Sequence, residues 1–210
     1  MKRLFPLVLP ALIAVLLACN STQIISSWKA EGATSNKYNK VLIIGMAGSK
    51  DNQLRQEIEN SMVKRMQEKG LTAVTSWEQY GPKTFDKMSE EDASELVKKD
   101  GFDAVMEIAL LDKDKEKNYV SGRVSYTPYA VVRSHWYPGY RVFYNRIYEP
   151  GYFTTTTNYT LEANFYSTKA DMLEYTATAK SYSPSSKSAL AGDFAKTVVD
   201  NMLKLGVIAK

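Results

Sequence analysis

The sequence predicts an α/β fold: a single domain with one mixed β-sheet, ordered β-α-β-α-β, then an antiparallel hairpin, then a C-terminal α-helix, with a long Tyr-rich insertion. Three observations predict it. Over residues 40–118, short β-branched apolar runs alternate with amphipathic helical stripes joined by short links, the signature of parallel strands with right-handed crossovers. Residues 159–179 hold two strictly alternating segments separated by a turn. A last apolar stripe with helical spacing closes the chain.

Each element has its own warrant. Gln23 to Lys29 reads as a short edge strand through Ile24, Ile25 and Trp28. Lys40 to Gly45 is a compact apolar run ending in glycine, as expected of a strand buried on both faces. A helix is expected from about Asp51 to Lys69, with Leu54, Ile58, Met62 and Met66 on one stripe, Val63 beside it and Gly70 as the stop. Leu71 to Ser76 reads as the second strand. Ser89, followed by Glu90, Glu91 and Asp92, starts another helix, since its hydroxyl can cap free N–H groups and the acids suit the amino-terminal dipole. Ala93, Leu96 and Val97 give that helix its apolar face, and Gly101 ends it. Phe102 to Leu111 is the third strand, and the alternating charges from Asp112 to Lys117 read as a solvated loop.

Beyond the insertion, Tyr159, Leu161, Ala163 and Phe165 alternate with Thr160, Glu162, Asn164 and Tyr166. Thr168 to Asp171 forms a turn, and Leu173, Tyr175, Ala177 and Ala179 alternate again. The closing helix, from about Lys187 to Leu205, carries Leu190, Phe194, Val198 and Met202 on one stripe before Gly206. There is no internal repeat. The expected segments are a signal over 1–18, a tether and edge strand over 19–39, the β-α-β-α-β half over 40–118, the insertion over 119–153, and the hairpin with its helix over 154–210.

The amino terminus has the build of a secretion signal. Lys2 and Arg3 precede an apolar run from Leu4 to Leu17, which ends in Leu16, Leu17, Ala18 and Cys19. A spanning helix needs about 20 apolar residues; this run is shorter and carries Pro6 and Pro10, which argues against an anchor that crosses the bilayer. The tetrapeptide ending at Cys19 resembles the lipobox of bacterial lipoproteins. The resemblance implies cleavage between Ala18 and Cys19, a diacylglyceryl group on the Cys19 thiol, an acyl chain on the new amino group, and hence the lipid bilayer as a partner. Cys19 is the single cysteine of the chain, so no thiol would be left for a disulfide, a metal or nucleophilic catalysis. Asn20, where an aspartate would resemble an inner-membrane retention signal, favours the outer membrane, facing the periplasm.

Composition narrows the chemistry. The formal charge of +4 falls by the two charges of Lys2 and Arg3 to +2, which offers nothing to nucleic acid. Gly45 to Lys50 sits where a phosphate loop would, but only Met46 and Ala47 separate Gly45 from Gly48, and Asp51 follows Lys50. This pattern cannot cradle a nucleotide as a Walker loop does. His135 is the only histidine, with neither metal ligands nor a triad around it. No carboxylate pair stands out for hydrolysis. The expectation is a non-enzymatic protein without a cofactor other than its lipid.

The insertion is the informative segment. It holds eight of the 14 tyrosines of the chain, and Pro128, Pro138 and Pro150 would break it into short pieces. Tyrosine, tryptophan and arginine bury area at low entropic cost and keep a polar handle, which is why they dominate binding hot spots. The candidate contact surface is therefore Arg123, Tyr129, Arg133, Trp136, Tyr137, Tyr140, Arg141, Tyr144, Arg146 and Tyr148. The competing reading has the tyrosines merely covering their own sheet. An envelope protein is the expected partner; alternatively Trp136, Tyr137 and Tyr140 would stack on the sugar rings of a glycan such as peptidoglycan. A membrane-spanning hairpin needs about 9–11 residues of lipid-facing alternation, which Arg141 to Arg146 does not provide.

Taken in order, Ser27-Trp28, the Lys40 to Gly45 strand, Gly101 to Val105, Tyr119 to Gly122, Leu161 to Tyr166, and Leu205 to Ile208 resemble a group of bacterial envelope lipoproteins of unknown function. The architecture is also similar to the amino-terminal domain of TolB and to the periplasmic part of the curli secretion pore protein. These resemblances imply a fold and a compartment, and they bring no catalytic residues.

Overall fold

The computed structural model describes residues 21–31, 33, 38–46, 51–85, 88–133 and 140–209, of which 129–133 and 140–144 are described by their backbone. Ala18 and Cys19, like Trp136, Tyr137 and His135, lie outside the described residues. Two compact units emerge, one made of residues up to 114 together with 157–210, the other of residues 115–156.

The first unit is the expected α/β domain, built on a mixed sheet. The central strand β2 (Val41–Met46) pairs in parallel with both β3 (Ala73–Thr75) and β4 (Ala104–Val120). The hairpin of β7 (Tyr152–Ser167) and β8 (Met172–Ser181) is antiparallel, and β1 (Thr22–Lys29) adds antiparallel to β8 as the edge. The strand order is β1-β8-β7-β4-β2-β3.

Helices α1 (Asn52–Gln67) and α4 (Lys187–Leu205) cover one face of this sheet. The i, i+4 stripe of α1 is why: Leu54, Ile58, Met62 and Met66 are all buried, each such side chain contributing about 1.5–3 kcal/mol. They meet Leu190, Phe194, Val198 and Met202 of α4 and the inward residues of the strands, among them Val41, Ile43, Met106, Leu161, Phe165 and Tyr175. Gly206 ends α4 with φ 67°, a left-handed cap that a side chain resists. Lys29, at the end of β1, donates from Nζ to the carbonyls of Leu205 (3.0 Å) and Gly206 (3.3 Å), so a cation sits at the negative end of the helix dipole.

The second crossover runs over the opposite face. There Val97 of α3 (Glu90–Lys99) packs with Leu42 and Phe102, supported by Ile44, Tyr80, Phe85 and Val105. Ser89 caps α3 as expected, its Oγ accepting the Asp92 N–H at 3.1 Å. Asp103 ties the start of β4 to the start of β2. Its carboxylate accepts the Asn39 and Lys40 N–H groups at 2.8 and 3.0 Å and pairs with Lys169 at 3.3 Å.

Three expectations need correction. The run from Leu71 to Ser76 is a strand only over 73–75; Ser76 instead begins α2 (Ser76–Tyr80), because the Thr75 hydroxyl accepts the Glu78 N–H and so caps a turn of helix. Asp112 to Lys117 is not a loop but part of β4, which continues to Val120 with exposed side chains. Alternating charges are compatible with a strand whose two faces both meet water. Pro128 does not break the insertion either: β5 (Arg123–Arg133) and β6 (Tyr140–Glu149) pair along their length, and Pro128, which lacks an N–H, stands beside a register shift. Pro150 falls as expected between β6 and β7, and Pro138 lies outside the described residues. Among the described residues no helix is long and apolar enough to cross a membrane.

Candidate functional site

The hairpin of residues 115–156 carries those surface residues nominated from the sequence that are described. Register sorts its side chains by face, because directly paired residues project to the same side. Val124 pairs with Tyr148 and Tyr126 with Arg146, giving one face rich in aromatic area. Arg123 pairs with Glu149, Ser125 with Ile147 and Thr127 with Asn145 on the other. Tyr126 and Tyr148 are 63% and 65% exposed, and Arg146 is exposed beside them. Tyr119 and Phe153 pack in a tilted pair, with ring centroids 5.1 Å apart and planes at 51°.

The sequence-nominated surface is thus divided. Arg146 and Tyr148 share the aromatic face. Arg123 lies on the opposite face, where its Nε donates to the Glu149 carboxylate at 2.5 Å, so it is not part of one continuous patch. Arg133 pairs with Tyr140 and Tyr144 with Pro128 along the backbone, Arg141 pairs with Val132, and Tyr129 falls at the register shift.

A second site lies in the α/β unit, and no motif announced it. Because α1 and α4 share one face and α3 covers only the β2–β4 part of the other, a cleft of about 620 Å³ remains between α3, the sheet and the β7–β8 turn. Ile44, Met46 and Val105 come from the strands, Phe85, Met88 and Ala93 from α3 and the segment before it, and Met172 and Leu173 from β8. Glu107 and Tyr166 bring polar atoms into this apolar surface, with Glu90 on the first turn of α3. The signal for it was Glu107, the one acid in the apolar first part of β4 (residues 104–111), on the strand parity of Val105 and Ala109 rather than that of Ala104, Met106 and Ile108.

The electrostatics of the cleft follow from that placement. Burial raises the Glu107 carboxyl above the usual range, and the nearby charge of Glu90 raises it further. The Tyr166 phenol is likewise pushed up, by burial first, then by Glu107, Glu162 and Glu90. A carboxyl that binds its proton more tightly when folded favours folding below its unfolded-state pKa, and that contribution is lost as pH rises through the folded value. We therefore expect Glu107→Gln to raise the melting temperature at pH 7, with the gain vanishing below about pH 4. Thermal melts at the two pH values check this; a lower melting temperature at pH 7 would show that Glu107 has a stabilising partner.

At the carboxyl end of β2, Gly45 serves packing rather than phosphate binding. Its N–H donates to Glu59 Oε1 at 2.9 Å, so the amide is already held by an anion from the protein itself. A Cβ here would lie 2.9 Å from Arg55 Cγ, which explains the glycine. Residues 47–50 of the candidate loop are outside the described residues.

No family model and no curated protein matches the chain, so the resemblance to envelope lipoproteins rests on the sequence motifs quoted above, and that to TolB on the expected order of elements alone. Among solved structures, the chain is similar to PelC from Paraburkholderia phytofirmans, a dodecamer. One form, a single-residue variant, is 10% identical with a TM-score of 0.46, covering 88% of this chain and 99% of that one. Another is 10% identical with a TM-score of 0.44, covering 90% and 99%. Lipoprotein GNA1162 from Neisseria meningitidis is 13% identical with a TM-score of 0.44, covering 79% of this chain and 99% of that one.

Proposed function

We propose that this is a lipid-anchored, non-enzymatic accessory or scaffolding protein of the bacterial envelope, with the β5–β6 hairpin as the surface that meets a protein partner. The amino-terminal signal pattern ending at Cys19 supports both the anchor and a domain facing the periplasm, with the outer membrane favoured by Asn20. The observation that carries the contact role is the open aromatic face of the hairpin. A two-stranded ribbon is marginal alone in water, and Tyr126 and Tyr148 stay mostly exposed on it. Their burial against a partner would supply what the ribbon lacks, and Arg146 beside them adds a cation that can hydrogen-bond across an interface.

The α/β domain then acts as a platform. Replacing residues 125–150 with a short Gly/Ser linker should leave that domain folded and anchored but abolish in-cell crosslinking to an envelope protein. Tyr126→Ala and Tyr148→Ala should each weaken the same crosslink about tenfold or more, as hot-spot truncations do. Crosslinking unchanged by all three would overturn the reading. Retention on isolated peptidoglycan, lost with Trp136→Ala, would replace the protein partner by a glycan.

A further inference from the structure

The geometry of the cleft beneath α3 points to a ligand class of its own: we propose that it binds an amphiphilic amine, the apolar body against Ile44, Val105 and Met172 and the ammonium against Glu107. The inference is independent of the hairpin and goes beyond the partner reading.

Size comes first. At about 620 Å³ the cleft lies within the range of about 300–1,000 Å³ typical of small-molecule sites, and it shares their character of apolar walls with few polar groups. Sign comes second. Among the described residues lining the cleft there is no lysine, arginine or histidine, while Glu90, Glu107 and Asp171 are acidic. Asp171 is already paired with Lys98 at 2.8 Å, outside the lining. No hydrogen bond or ion pair to a described residue holds Glu107, and the charge that acts on it is that of Glu90. A carboxylate half-buried in an apolar wall and facing a second carboxylate gains most from a cation that brings its own hydrocarbon.

Two other occupants fit worse. An anion would be drawn to the amino end of α3, but that end is already met by Glu90, Glu91, Asp92 and the Ser89 cap, and the anion would face Glu107. A hard metal ion needs about six to eight oxygen ligands, and the described residues hold no group of three or more side chains suited to a metal. An alkylammonium satisfies both halves of the site. Its N–H groups donate to the Glu107 carboxylate while its chain displaces water from the walls.

The test uses the mature chain, residues 19–210, with Cys19→Ala so that no detergent competes for the cleft. Methyl-labelled methionine gives reporters at Met46, Met88 and Met172 in the cleft, with Met62, Met66 and Met202 in the core as internal controls. Titration with n-octylammonium should shift the cleft methyls and leave the core methyls in place. Octanoate should bind at least tenfold more weakly, and Glu107→Gln should weaken octylammonium binding about 10–100-fold, the range of a charge-assisted hydrogen bond. Ala93→Trp, which fills the cleft from α3, should abolish the shifts with the core methyls unchanged. Octanoate binding as tightly as octylammonium, affinity within twofold in Glu107→Gln, or no shift at the cleft methyls overturns the proposal. The crosslinking of the hairpin is unaffected by any of these outcomes, so the two readings fail separately.

Discussion

Glu59→Ala is expected to destabilise the fold by about 3–5 kcal/mol, a large share of the stability of an ordinary domain. Its side chain is fully buried, and it accepts four hydrogen bonds: from Gly45 N–H (2.9 Å), Arg55 Nε (3.0 Å), Ser76 Oγ (2.9 Å) and Trp77 N–H (3.0 Å). These donors come from the end of β2, from α1 and from the start of α2, so one carboxylate joins three elements. Arg55 is 8% exposed, with its other nitrogens on Pro82 O (2.9 Å) and Ser76 Oγ (3.2 Å). Truncating Glu59 leaves that guanidinium without its counter-charge and two backbone N–H groups without acceptors, and this loss is larger than the net worth of the pair itself. The double change Arg55→Met with Glu59→Leu should therefore be less damaging than Glu59→Ala alone. Urea melts of the three proteins decide it. A loss below about 1 kcal/mol for Glu59→Ala, or a double variant no more stable than Glu59→Ala, would mean that water reaches the site and the unpaired guanidinium costs little.

This knot also marks the limit of what the sequence told. Where one physical period dominates, the elements were legible: the Leu54, Ile58, Met62 and Met66 stripe became α1, the Ser89 cap became the start of α3, and the alternation through Leu161 and Phe165 became β7. Glu59 falls within the same helical run and reads as a surface acid, because its partners at Gly45 and Ser76 are distant in sequence. The continuation of β4 through Asp112 to Lys117 was missed for a related reason. Charge on both faces removes the apolar contrast by which a strand is recognised, although pairing can persist.

The candidate sites divide in the same way. The aromatic composition of residues 119–153 nominated the hairpin, but only the pairing of Tyr126 with Arg146 and of Arg123 with Glu149 shows which residues share a face. The cleft as a whole was not legible; its one trace in the sequence was Glu107 on the strand parity of Val105. It exists because the strand order carries β7, β8 and β1 beyond the reach of α3, and strand order is a property of the whole chain. Even so, Asp103, part of the Gly101 to Val105 run that carried the family resemblance, acquires a structural role as the clamp on the Asn39 and Lys40 amides.

Cys19→Ala is expected to move the protein from the membrane fraction to the soluble one, the largest change in behaviour that one substitution should produce. Each buried methylene contributes about 0.8 kcal/mol, and a single acyl chain holds only marginally, so the two or three chains implied by the lipobox separate a lasting anchor from none. None of the described helices of the α/β unit is long and apolar enough to cross a bilayer. The hairpin is the competing element, because its strands are as long as the roughly 9–11 residues a spanning strand requires. Its faces argue against that use. The aromatic face includes Arg146, the opposite face carries Arg123, Glu149 and Asn145, and an arginine facing lipid at the bilayer midplane costs about 2–4 kcal/mol. Carbonate-washed membranes from cells making wild type, Cys19→Ala and the 125–150 replacement separate these routes. The anchor predicts loss with Cys19→Ala alone, whereas persistence of that variant in the pellet, with loss only on removing the hairpin, would make β5 and β6 the membrane element and sink the lipoprotein reading.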